Sequence, residues 1–382
     1  QCLENVETGI AYFGTSSGVA RKNICQKNQL QGIAVSGQAQ PTLEENQCIE
    51  NQDCGIVYLW SSSGIARKNI CQKNQYHGIQ VSEQSHPTLE ENQCLENEDT
   101  GIVFFDNSSG TADRNICRKN AKHGISIEDQ AEPGVVGNKC LQNGKNGIAY
   151  SNYSKGTARN NLCGGNGRRG IQVSQNASPT LEKNRCVKNK GAGIAYVDQS
   201  EGIARKNRCI ENGYTGIFVT DDSNPTIEHC QCVRNKDCGI AFWGRSQGLV
   251  KGNICTANEQ YGIYIAGASQ PILQENHCSE NKKAGIGYGG SQGGKAQYNL
   301  CKGNGTYGIC VGGNAQPLLE ENQCLENVQA GIVYKDNSGG VARRNICLRN
   351  DKQGIHIEDE AAPLLEDNQL DTPLPGRKES PV

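Results

Sequence analysis

Acidic side chains that recur at a spacing of 23 residues are the first groups in this chain that could do chemistry. Asp106 is followed by Asp129, and Asp198 is followed by Asp221. Two carboxylates held close together can share a proton, and a pair that flanks a glycosidic bond can hydrolyse it. These four aspartates are therefore candidate catalytic residues of a carbohydrate-active enzyme, either a polysaccharide lyase or a hydrolase.

The same spacing recurs near the end of the sequence and suggests a cation site. Asp336 is followed by Asp359, and Glu358 adjoins the second aspartate. Hard cations prefer oxygen ligands, so Asp336, Glu358 and Asp359 are candidate ligands for Ca²⁺, the one cofactor that the sequence suggests. A simpler interpretation covers all three pairs, because Asp followed by Asn, as at Asp106 and Asp336, is typical of a turn after a strand. Recurrence at three places favours the turn.

Large apolar residues just after a short β-type segment could form a binding surface. They share one side of the repeat described below, and they are Phe13, Leu59, Trp60, Phe105 and Trp243. Exposed aromatic rings stack on sugar rings or anchor a protein partner. They could equally pack beneath a flanking domain.

Histidine and cysteine do not form a set typical of a metal site. The histidines that might be ligands are His77, His123 and His277. His77 and His123 are two repeats apart, about 10 Å at the spacing of stacked strands, so we expect solvated turn residues. Four cysteines lie outside the main cysteine column, and a redox or metal role is the minor interpretation for them: Cys54, Cys230, Cys238 and Cys310.

A repeat of 23 residues positions all of these side chains. Gly-Ile recurs sixteen times from Gly9 to Gly354 without an insertion. Apolar residues alternate with period two after each glycine, as at Ile10 and Tyr12, and Gly, Asn and Pro interrupt any longer run, which excludes a helical repeat. Three short strands per repeat, stacked in register, predict an all-β parallel β-helix (a solenoid) of about sixteen 23-residue coils.

Each repeated residue type should form a column in this stack. The Asn columns are expected at inward bends, because Asn tolerates left-handed backbone and its amide can bond the coils on both sides. The Gly before Ile is expected to need a positive φ. Sixteen of the twenty cysteines keep the 23-residue step, and Leu370 takes their place in the last coil, so we interpret the cysteine column as inward packing.

A 46-residue alternation is superimposed on the 23-residue repeat. Odd coils pair a large residue with a small one, as Tyr12 with Ala20, and even coils reverse the order, as Val35 with Leu43. Constant volume per coil suits a close-packed core. Arg and Lys of odd coils also lie beside Glu pairs of even coils, which predicts a ladder of opposite charges that helps to fix the register.

The repeat also sets the expected domain organisation. It predicts one β-helix domain over residues 1–370 and a Pro-rich linker or tail over residues 371–382. No capping helix is visible, and the sequence has no initiator Met, so we expect a segment of a longer chain in which flanking segments cap the open sheet edge.

Composition narrows the choice of partners and compartment. Lys and Arg total 38 against 40 Asp and Glu, so the average charge predicts neither a nucleic acid nor an acidic membrane as partner. No apolar run approaches the length of a membrane-spanning helix. Aligned thiols would mispair in an oxidising space, and no signal peptide is visible, so a cytoplasmic location is expected.

Coils of the types G-x-A-R-K-N-I-C and S-x-P-x-L-x-x-N-x-C resemble the right-handed parallel β-helix repeats of pectate-lyase-like proteins. The alternation is especially similar to the repeat region of the β-helical F-box proteins and to NosD-like bacterial β-helix proteins. The resemblance covers residues 1–370 and implies a right-handed β-helix. It says little about function, because this architecture hosts lyases, hydrolases, epimerases and binding scaffolds.

Regularity decides between the functional hypotheses. The strings N-T-D, G-H-G, R-I-K and D-P-H, which resemble known pectin-hydrolase and epimerase motifs, are absent. Without insertions the coils have no long loops to build a cleft. The leading hypothesis is therefore a non-enzymatic binding or scaffold module that presents flat faces to a protein or carbohydrate partner. A carbohydrate-active enzyme that uses an acidic pair, and a structural spacer, are the alternatives.

Overall fold

The computed structural model describes residues 1–291, 293–358 and 360–371. Their regular secondary structure consists of short β-strands, with no helix among these residues. The chain divides into two compact units, which we describe separately: unit 1 comprises residues 1–195 with 200–203, and unit 2 comprises 196–199 with the residues from 204 onward. We number the turns from the cysteine column, so that turn 1 starts at Cys2 and turn 16 at Cys347.

Each turn contributes one strand to each of three parallel sheets, and most strands have three residues. In unit 1, sheet A contains Cys2–Leu3, Ile24–Gln26, Gln47–Ile49, Ile70–Gln72, Gln93–Leu95, Ile116–Arg118, Lys139–Leu141, Leu162–Gly164 and Arg185–Val187. Sheet B contains Ile10–Tyr12, Ile33–Val35, Ile56–Tyr58, Ile79–Val81, Ile102–Phe104, Ile125–Ile127, Ile148–Tyr150 and Ile171–Val173. Sheet C contains Ser17–Arg21, Gln40–Glu44, Ile65–Arg67, Thr88–Glu90, Thr111–Asp113, Gly134–Val136, Thr157–Arg159 and Thr180–Glu182.

Unit 2 repeats the arrangement, and two strands lie at the division between the units: Ile194–Tyr196 and Ile203–Arg205. Sheet A of unit 2 contains Arg208–Ile210, Gln231–Val233, Ile254–Thr256, His277–Ser279, Leu300–Lys302, Gln323–Leu325, Ile346–Leu348 and Gln369–Leu370. Sheet B contains Ile217–Val219, Ile240–Phe242, Ile263–Ile265, Ile286–Tyr288, Ile309–Val311, Ala330–Tyr334 and Gln353–Ile357. Sheet C contains Thr226–Glu228, Leu249–Lys251, Ile272–Gln274, Lys295–Gln297, Leu318–Glu320, Val341–Arg343 and Leu364–Glu366.

The register confirms the predicted β-helix of about sixteen turns. Within each unit the paired strand residues are 23 positions apart, as Cys25 and Cys48 are and Ile263 and Ile286 are. A shift of one residue would move every inward side chain to the outer face. The 23-residue step without insertions therefore holds the columns in register.

The core confirms the predicted alternation of large and small residues. Val35 pairs with Tyr58 in sheet B, and Leu43 pairs with Ala66 in sheet C. All four side chains are fully buried. Large residues on one sheet are thus offset by small ones on the other, and each turn has a similar cross-section.

The Asn columns are inward and hydrogen-bonded, as predicted. The expectation that Asn itself adopts the left-handed backbone of the bend was wrong. The backbone N–H and the side-chain amide of Asn28 both donate to Oδ1 of Asn51, at 3.1 and 2.8 Å. The amide of Asn51 in turn donates to the carbonyl oxygen of Cys25 at 3.1 Å. The left-handed residue of each bend is the one before the Asn, such as Lys27 (φ 55°) and Glu50 (φ 54°). Asn is required for the polar groups that it satisfies inside the bend.

The glycine of Gly-Ile also has a different role from the one predicted. Gly55 does not have a positive φ. A Cβ at this position would lie 2.7 Å from the carbonyl oxygen of Gly78 and 2.8 Å from Cβ of Cys71. Close approach between turns therefore requires glycine here. Positive φ is found instead at the sheet C entry, where Gly64 (φ 103°) lies against the carbonyl of Pro41.

The charge ladder is present on sheet C. In unit 1, Glu44 lies between Arg21 of the preceding turn, at 3.3 Å, and Arg67 of the next turn, at 3.0 Å. In unit 2, Glu320 contacts Lys295 at 3.0 Å and Arg343 at 2.8 Å. The cationic partners stay partly exposed, although Glu320 is buried. Surface ion pairs contribute about 0.2–1 kcal/mol each, so the main effect of the ladder is to disfavour other registers.

Candidate functional site

The outer face of sheet B carries most of the side chains that depart from the repeat. Inward residues of its strands, such as Ile79 and Val81, are fully buried, and the residue between them, Gln80, faces outward. In unit 1 this outward column holds Ala, Val, Gln or Ser. In unit 2 the same column holds Phe218 and Tyr264.

The candidate catalytic aspartates occupy one position in the turn that follows sheet B. Asp106, Asp129, Asp198 and Asp221 all have left-handed backbone, with φ between 48° and 55°. Asp106, Asp198 and Asp221 are exposed, and Asp129 is half-buried. Oδ1 of Asp129 accepts a hydrogen bond from the amide of Asn152 at 2.8 Å. This environment is that of turn residues, as in the simpler interpretation.

The candidate calcium ligands are partly engaged in protein contacts. Oδ2 of Asp336 accepts a hydrogen bond from the backbone N–H of Gly313 at 2.8 Å. Glu358 forms an ion pair with Lys335 at 3.5 Å, and Nε2 of His356 lies 3.4 Å from its carboxylate. Asp359 lies outside the described residues. Among the residues that are described, no group of three or more His, Cys, Asp and Glu side chains is placed to hold a metal ion.

The apolar candidates have different environments. Phe13 and Trp60 are 65% and 60% exposed. Leu59 is partly buried against Ala34, Cys54 and Val57, and Phe105 is half-buried.

Trp243, in unit 2, belongs to a larger aromatic group. The indole meets the ring of Tyr264 edge to face, with centroids 6.3 Å apart. Tyr264 stacks on Tyr261 with centroids 4.7 Å apart and an interplanar angle of 21°. Tyr214 and Phe218 form a second edge-to-face pair at 5.6 Å. We call the following residues of turns 10–14 the aromatic strip: Tyr214, Phe218, Trp243, Tyr261, Tyr264 and Tyr307.

Two glycines of turn 13 give the stacked tyrosines their position. A Cβ on Gly287 would lie 2.7 Å from the ring of Tyr261, and a Cβ on Gly289 would lie 2.3 Å from the hydroxyl of Tyr264. Both rings therefore rest on bare backbone of the next turn. Any side chain at these two positions would displace the rings.

Two lysines lie against the aromatic strip. Nζ of Lys283 is 5.5 Å from the ring centroid of Tyr261, and Nζ of Lys335 is 4.8 Å from that of Tyr307. Lys335 also donates to the Tyr307 hydroxyl at 3.0 Å. Partial burial by itself would lower the pKa of Lys335, but the bond to Tyr307 and the charge of Glu358 raise that pKa overall. The strip thus combines flat rings with fixed positive charge.

Sequence reasoning missed five of the six aromatic residues. Trp243 was found from its place after a Gly-Ile strand, whereas Phe218 and Tyr264 stand in the outward column between the two inward residues of the strand. In unit 1 the same position holds Ala34, Val57 or Gln80. A column-by-column comparison of the repeats would have shown this change from small to aromatic residues.

Three of the cysteines outside the main column lie beside the outer face of sheet B. Burial raises the pKa of the Cys310 thiol to about 11 and raises the pKa of Cys54 and Cys238 as well. Thiols of this kind are poor nucleophiles. Cys230 instead replaces an Asn of the inward ladder, where its backbone N–H donates to Oδ1 of Asn253 at 2.8 Å. Cys54, Cys230 and Cys238 are buried, which agrees with a packing role, and Cys310 is half-buried.

Two histidines of unit 1 are not the solvated turn residues that we expected. His77 and His123 are half-buried. Burial lowers the pKa of both, and that of His123 reaches about 4 because Lys145 and Lys122 add to the effect. Nδ1 of His77 accepts a hydrogen bond from the backbone N–H of Thr100 at 3.4 Å. Neither histidine joins a set of metal ligands among the described residues.

A polar concavity of about 510 Å³ lies beside the turn that carries Asp129. It is lined by Asn107, Gln130, Glu132, Tyr153, Lys155 and Asn176. Tyr153 is 61% exposed, and it is the one aromatic ring in this lining. A single ring offers less stacking surface than the aromatic strip.

The comparison with protein families agrees with the fold. The family described as "right handed beta helix region" matches residues 3–139, 106–212, 195–315 and 299–373, which together take in almost all of the chain. The chain belongs to this right-handed β-helix family. The match confirms the fold and the pectate-lyase-like resemblance, and it does not test the finer resemblance to β-helical F-box and NosD-like proteins.

Solved structures that resemble this right-handed β-helix protein are distant. The periplasmic alginate epimerase AlgG is 13% identical with a TM-score of 0.48, and the match covers 82% of this chain and 78% of AlgG. The A-module of the Azotobacter vinelandii mannuronan C-5 epimerase AlgE4 is 11% identical with a TM-score of 0.42, covering 88% and 90%. The receptor-binding domain of the Siphovirus 9NA tailspike is 9% identical with a TM-score of 0.40, covering 96% and 75%. No curated protein sequence matches this chain. In the part of the β-helix that the structure describes, no helix is long and apolar enough to cross a membrane.

Proposed function

We propose that the chain is a non-enzymatic β-helix that binds carbohydrate on the aromatic strip of unit 2. The observation that carries the proposal is the geometry of Trp243, Tyr261 and Tyr264 on the outer side of sheet B, where Tyr264 stacks on Tyr261 and meets Trp243 edge to face. The apolar face of a sugar ring packs on aromatic rings of this kind, and Tyr and Trp offer polar groups beside it.

The dimensions of the strip suit an oligosaccharide. Successive strands lie about 4.8 Å apart, so the four steps from turn 10 to turn 14 span about 19 Å. The rings are held by protein contacts before a ligand arrives, because Gly287 and Gly289 leave room for Tyr261 and Tyr264. Binding to a preformed surface loses less conformational entropy than binding to mobile side chains.

The acidic pairs support an enzyme less well than the strip supports binding. Asp106, Asp129, Asp198 and Asp221 are left-handed turn residues. The concavity beside the Asp129 turn has none of the four aspartates in its lining, whereas an enzyme holds its catalytic groups in a site that excludes water from the reacting bond. We therefore place the main function in binding.

The test is a glycan array followed by calorimetry on the best ligand. Trp243→Ala and Tyr264→Ala should each weaken glycan binding about tenfold, since an aromatic contact of this kind contributes on the order of 1 kcal/mol beyond its buried area. Trp60→Ala is the matched control, because Trp60 is an exposed indole in unit 1 that is 60% accessible. Full affinity in both strip variants, an equal loss in the control, or an array without any glycan ligand would overturn the proposal.

A separate assay addresses the enzyme alternative. The unmodified chain and the double variant Asp106→Asn with Asp129→Asn would be incubated with uronide polymers and the products measured. We expect no difference between them. Turnover by the unmodified chain that the double variant loses would show an enzyme and contradict the non-enzymatic proposal.

A further inference from the structure

Positive charge is concentrated in one stretch of unit 1. Residues 114–190 contain fourteen Lys and Arg residues and four Asp and Glu residues, although the net charge of the whole chain is −2. The balanced composition of the chain hides this local excess. A prediction about partners from the average charge therefore does not describe this stretch.

Much of the excess lies at the corner where sheet A leads into sheet B. We call the following residues of turns 6–9 the basic corner: Arg118, Lys119, Lys122, Lys145, Arg168, Arg169, Lys188 and Lys190. Lys122, Lys145 and Arg168 occupy the same position in successive turns. The backbone N–H of Lys145 donates to the carbonyl of Lys122 at 2.6 Å, and that of Arg168 donates to the carbonyl of Lys145 at 2.8 Å. Three cationic residues therefore follow one another at about the strand spacing of 4.8 Å.

The column of Lys122, Lys145 and Arg168 contains only positive charges, whereas positive and negative residues alternate on sheet C. Lys122 forms an ion pair with Asp99 at 2.6 Å. Among the residues that the structure describes, neither Lys145 nor Arg168 has a carboxylate partner. Like charges stacked in successive turns repel one another, and an anion bound along the column would relieve the repulsion. The pKa of His123 responds to the same field, because after burial Lys145 and Lys122 contribute most to lowering it.

A notch adjoins the basic corner on sheet A. Gly164 and Gly165 stand where the preceding turn has Leu141 and Gln142, and the loss of those side chains leaves a concavity of about 460 Å³. Its lining is almost entirely aliphatic apart from the cationic residues at its rim, and it consists of Arg118, Leu141, Gln142, Leu162, Gly164, Gly165, Val187 and Lys188. An apolar floor with cationic ends fits a ring that has an apolar face and anionic substituents.

We propose that the basic corner and its notch bind a sulfated polysaccharide. The apolar face of one sugar ring packs on Leu141, Leu162 and Val187, and sulfate groups contact Arg118, Lys145 and Arg168. This site is separate from the aromatic strip of unit 2, so the proposal adds a second ligand class and does not depend on the first.

Two observations favour a sulfated sugar over other polyanions. None of the residues that line the notch is aromatic, so single-stranded nucleic acid would have no ring on which to stack its bases. The basic corner has eight cationic residues over four turns, whereas a polymer with a single carboxylate per sugar supplies only about one charge per ring. Several sulfates per disaccharide match the higher density of positive charge.

Heparin is the probe, and its Kd is measured by calorimetry with the whole chain. Lys145→Gln combined with Arg168→Gln should raise the Kd at least tenfold. The control is Lys73→Gln, because Lys73 is an exposed lysine at the same position in turn 4 as Lys119 in turn 6. Gly164→Val changes no charge and introduces the residue type found at the paired position of the next turn, Val187. Because the new side chain fills the notch, this variant should raise the Kd for heparin several-fold.

Competing polyanions and salt complete the test. Polygalacturonate and single-stranded DNA should each bind at least tenfold more weakly than heparin, and heparin affinity should fall steeply between about 50 and about 200 mM salt. Trp243→Ala should leave the Kd for heparin unchanged, which separates this proposal from the aromatic strip. Equal binding of DNA or polygalacturonate, an equal effect of Lys73→Gln, or salt-independent binding would overturn it. The salt dependence and the competition with DNA and polygalacturonate are measured on the unmodified chain. They can therefore refute the proposal even if a variant fails to fold.

Discussion

The side-chain amide of Asn97 donates a hydrogen bond to the carbonyl oxygen of Cys71, 26 residues earlier in the chain, at 3.0 Å. Oδ1 of Asn97 also accepts two bonds from the preceding turn, from the backbone N–H and the side-chain amide of Asn74, at 3.1 and 2.9 Å. One buried side chain thus satisfies three polar groups that water cannot reach.

Replacing Asn97 with Ala should be costly. The substitution leaves the N–H and amide of Asn74 and the carbonyl of Cys71 without this partner, and each unsatisfied buried group costs about 1–3 kcal/mol. We expect a loss of about 3 kcal/mol or more in the free energy of unfolding, measured with urea. Gln75→Ala, at the exposed neighbour of the ladder position Asn74, should have little effect. Comparable losses in the two variants would mean that the ladder does not stabilise the fold.

Two glycines of turn 14 are needed for different reasons, Gly308 for the close approach of neighbouring turns and Gly303 for its left-handed backbone. Gly308 belongs to a Gly-Ile pair, and a Cβ there would lie 2.6 Å from the carbonyl oxygen of Gly331 and 2.7 Å from Cβ of Cys324. Gly303 has φ of 62° but open space around it. Gly303→Ala should cost about 1–2 kcal/mol, the usual penalty for left-handed backbone, and Gly308→Ala should cost several times more. The two melting temperatures check this order, and the reverse order would refute the explanation from close approach.

The inward tyrosines of sheet B offer a stabilising substitution. The hydroxyl groups of Tyr58 and Tyr150 are buried and have no hydrogen-bond partner among the described residues. Phe104 fills the equivalent position in another odd turn. Tyr150→Phe should therefore raise the free energy of unfolding by about 1 kcal/mol, since it removes a buried polar group that costs free energy without a partner. A clear loss of stability would show that the hydroxyl has a partner in solution.

The buried histidine of turn 6 makes stability depend on pH. Burial lowers the pKa of His123 to about 4, with Lys145 and Lys122 adding to the effect, whereas an unfolded histidine has a pKa near 6.5. Between these values the unfolded chain binds a proton that the folded chain does not, so stability falls as the pH drops from about 6.5 to about 4.

Melting temperatures across this pH range test the linkage. His123→Gln should make the decline shallower, because it removes one of the two histidines whose pKa is lowered by burial; His77 is the other. Gln75→Ala, at an exposed residue that does not titrate, should leave the decline unchanged. An unchanged slope in His123→Gln would assign the decline to other groups.

The fold could be predicted from the repeat because residues one period apart in a β-helix are neighbours in adjacent turns. Gly-Ile at a constant step places Ile33 on Ile56, and the alternation along each strand identifies which side chains point inward. The cysteine and asparagine columns and the large-to-small alternation followed for the same reason. The sites were harder to find, because Trp243 stood out by its residue type whereas Tyr264 stands out only against its own column.

A local pattern repeated at a fixed step specifies the β-helix, its register and its inward columns. Contacts between neighbouring turns supply what this pattern leaves open. Gly55 is needed because the carbonyl of Gly78 lies 2.7 Å from where its Cβ would be, a contact between turns that no local preference reveals. The stacking of Tyr261 on Tyr264 likewise depends on the bare backbone of Gly287 in the next turn. Distances between side chains of neighbouring turns set the candidate site, and they exist only once the chain is folded.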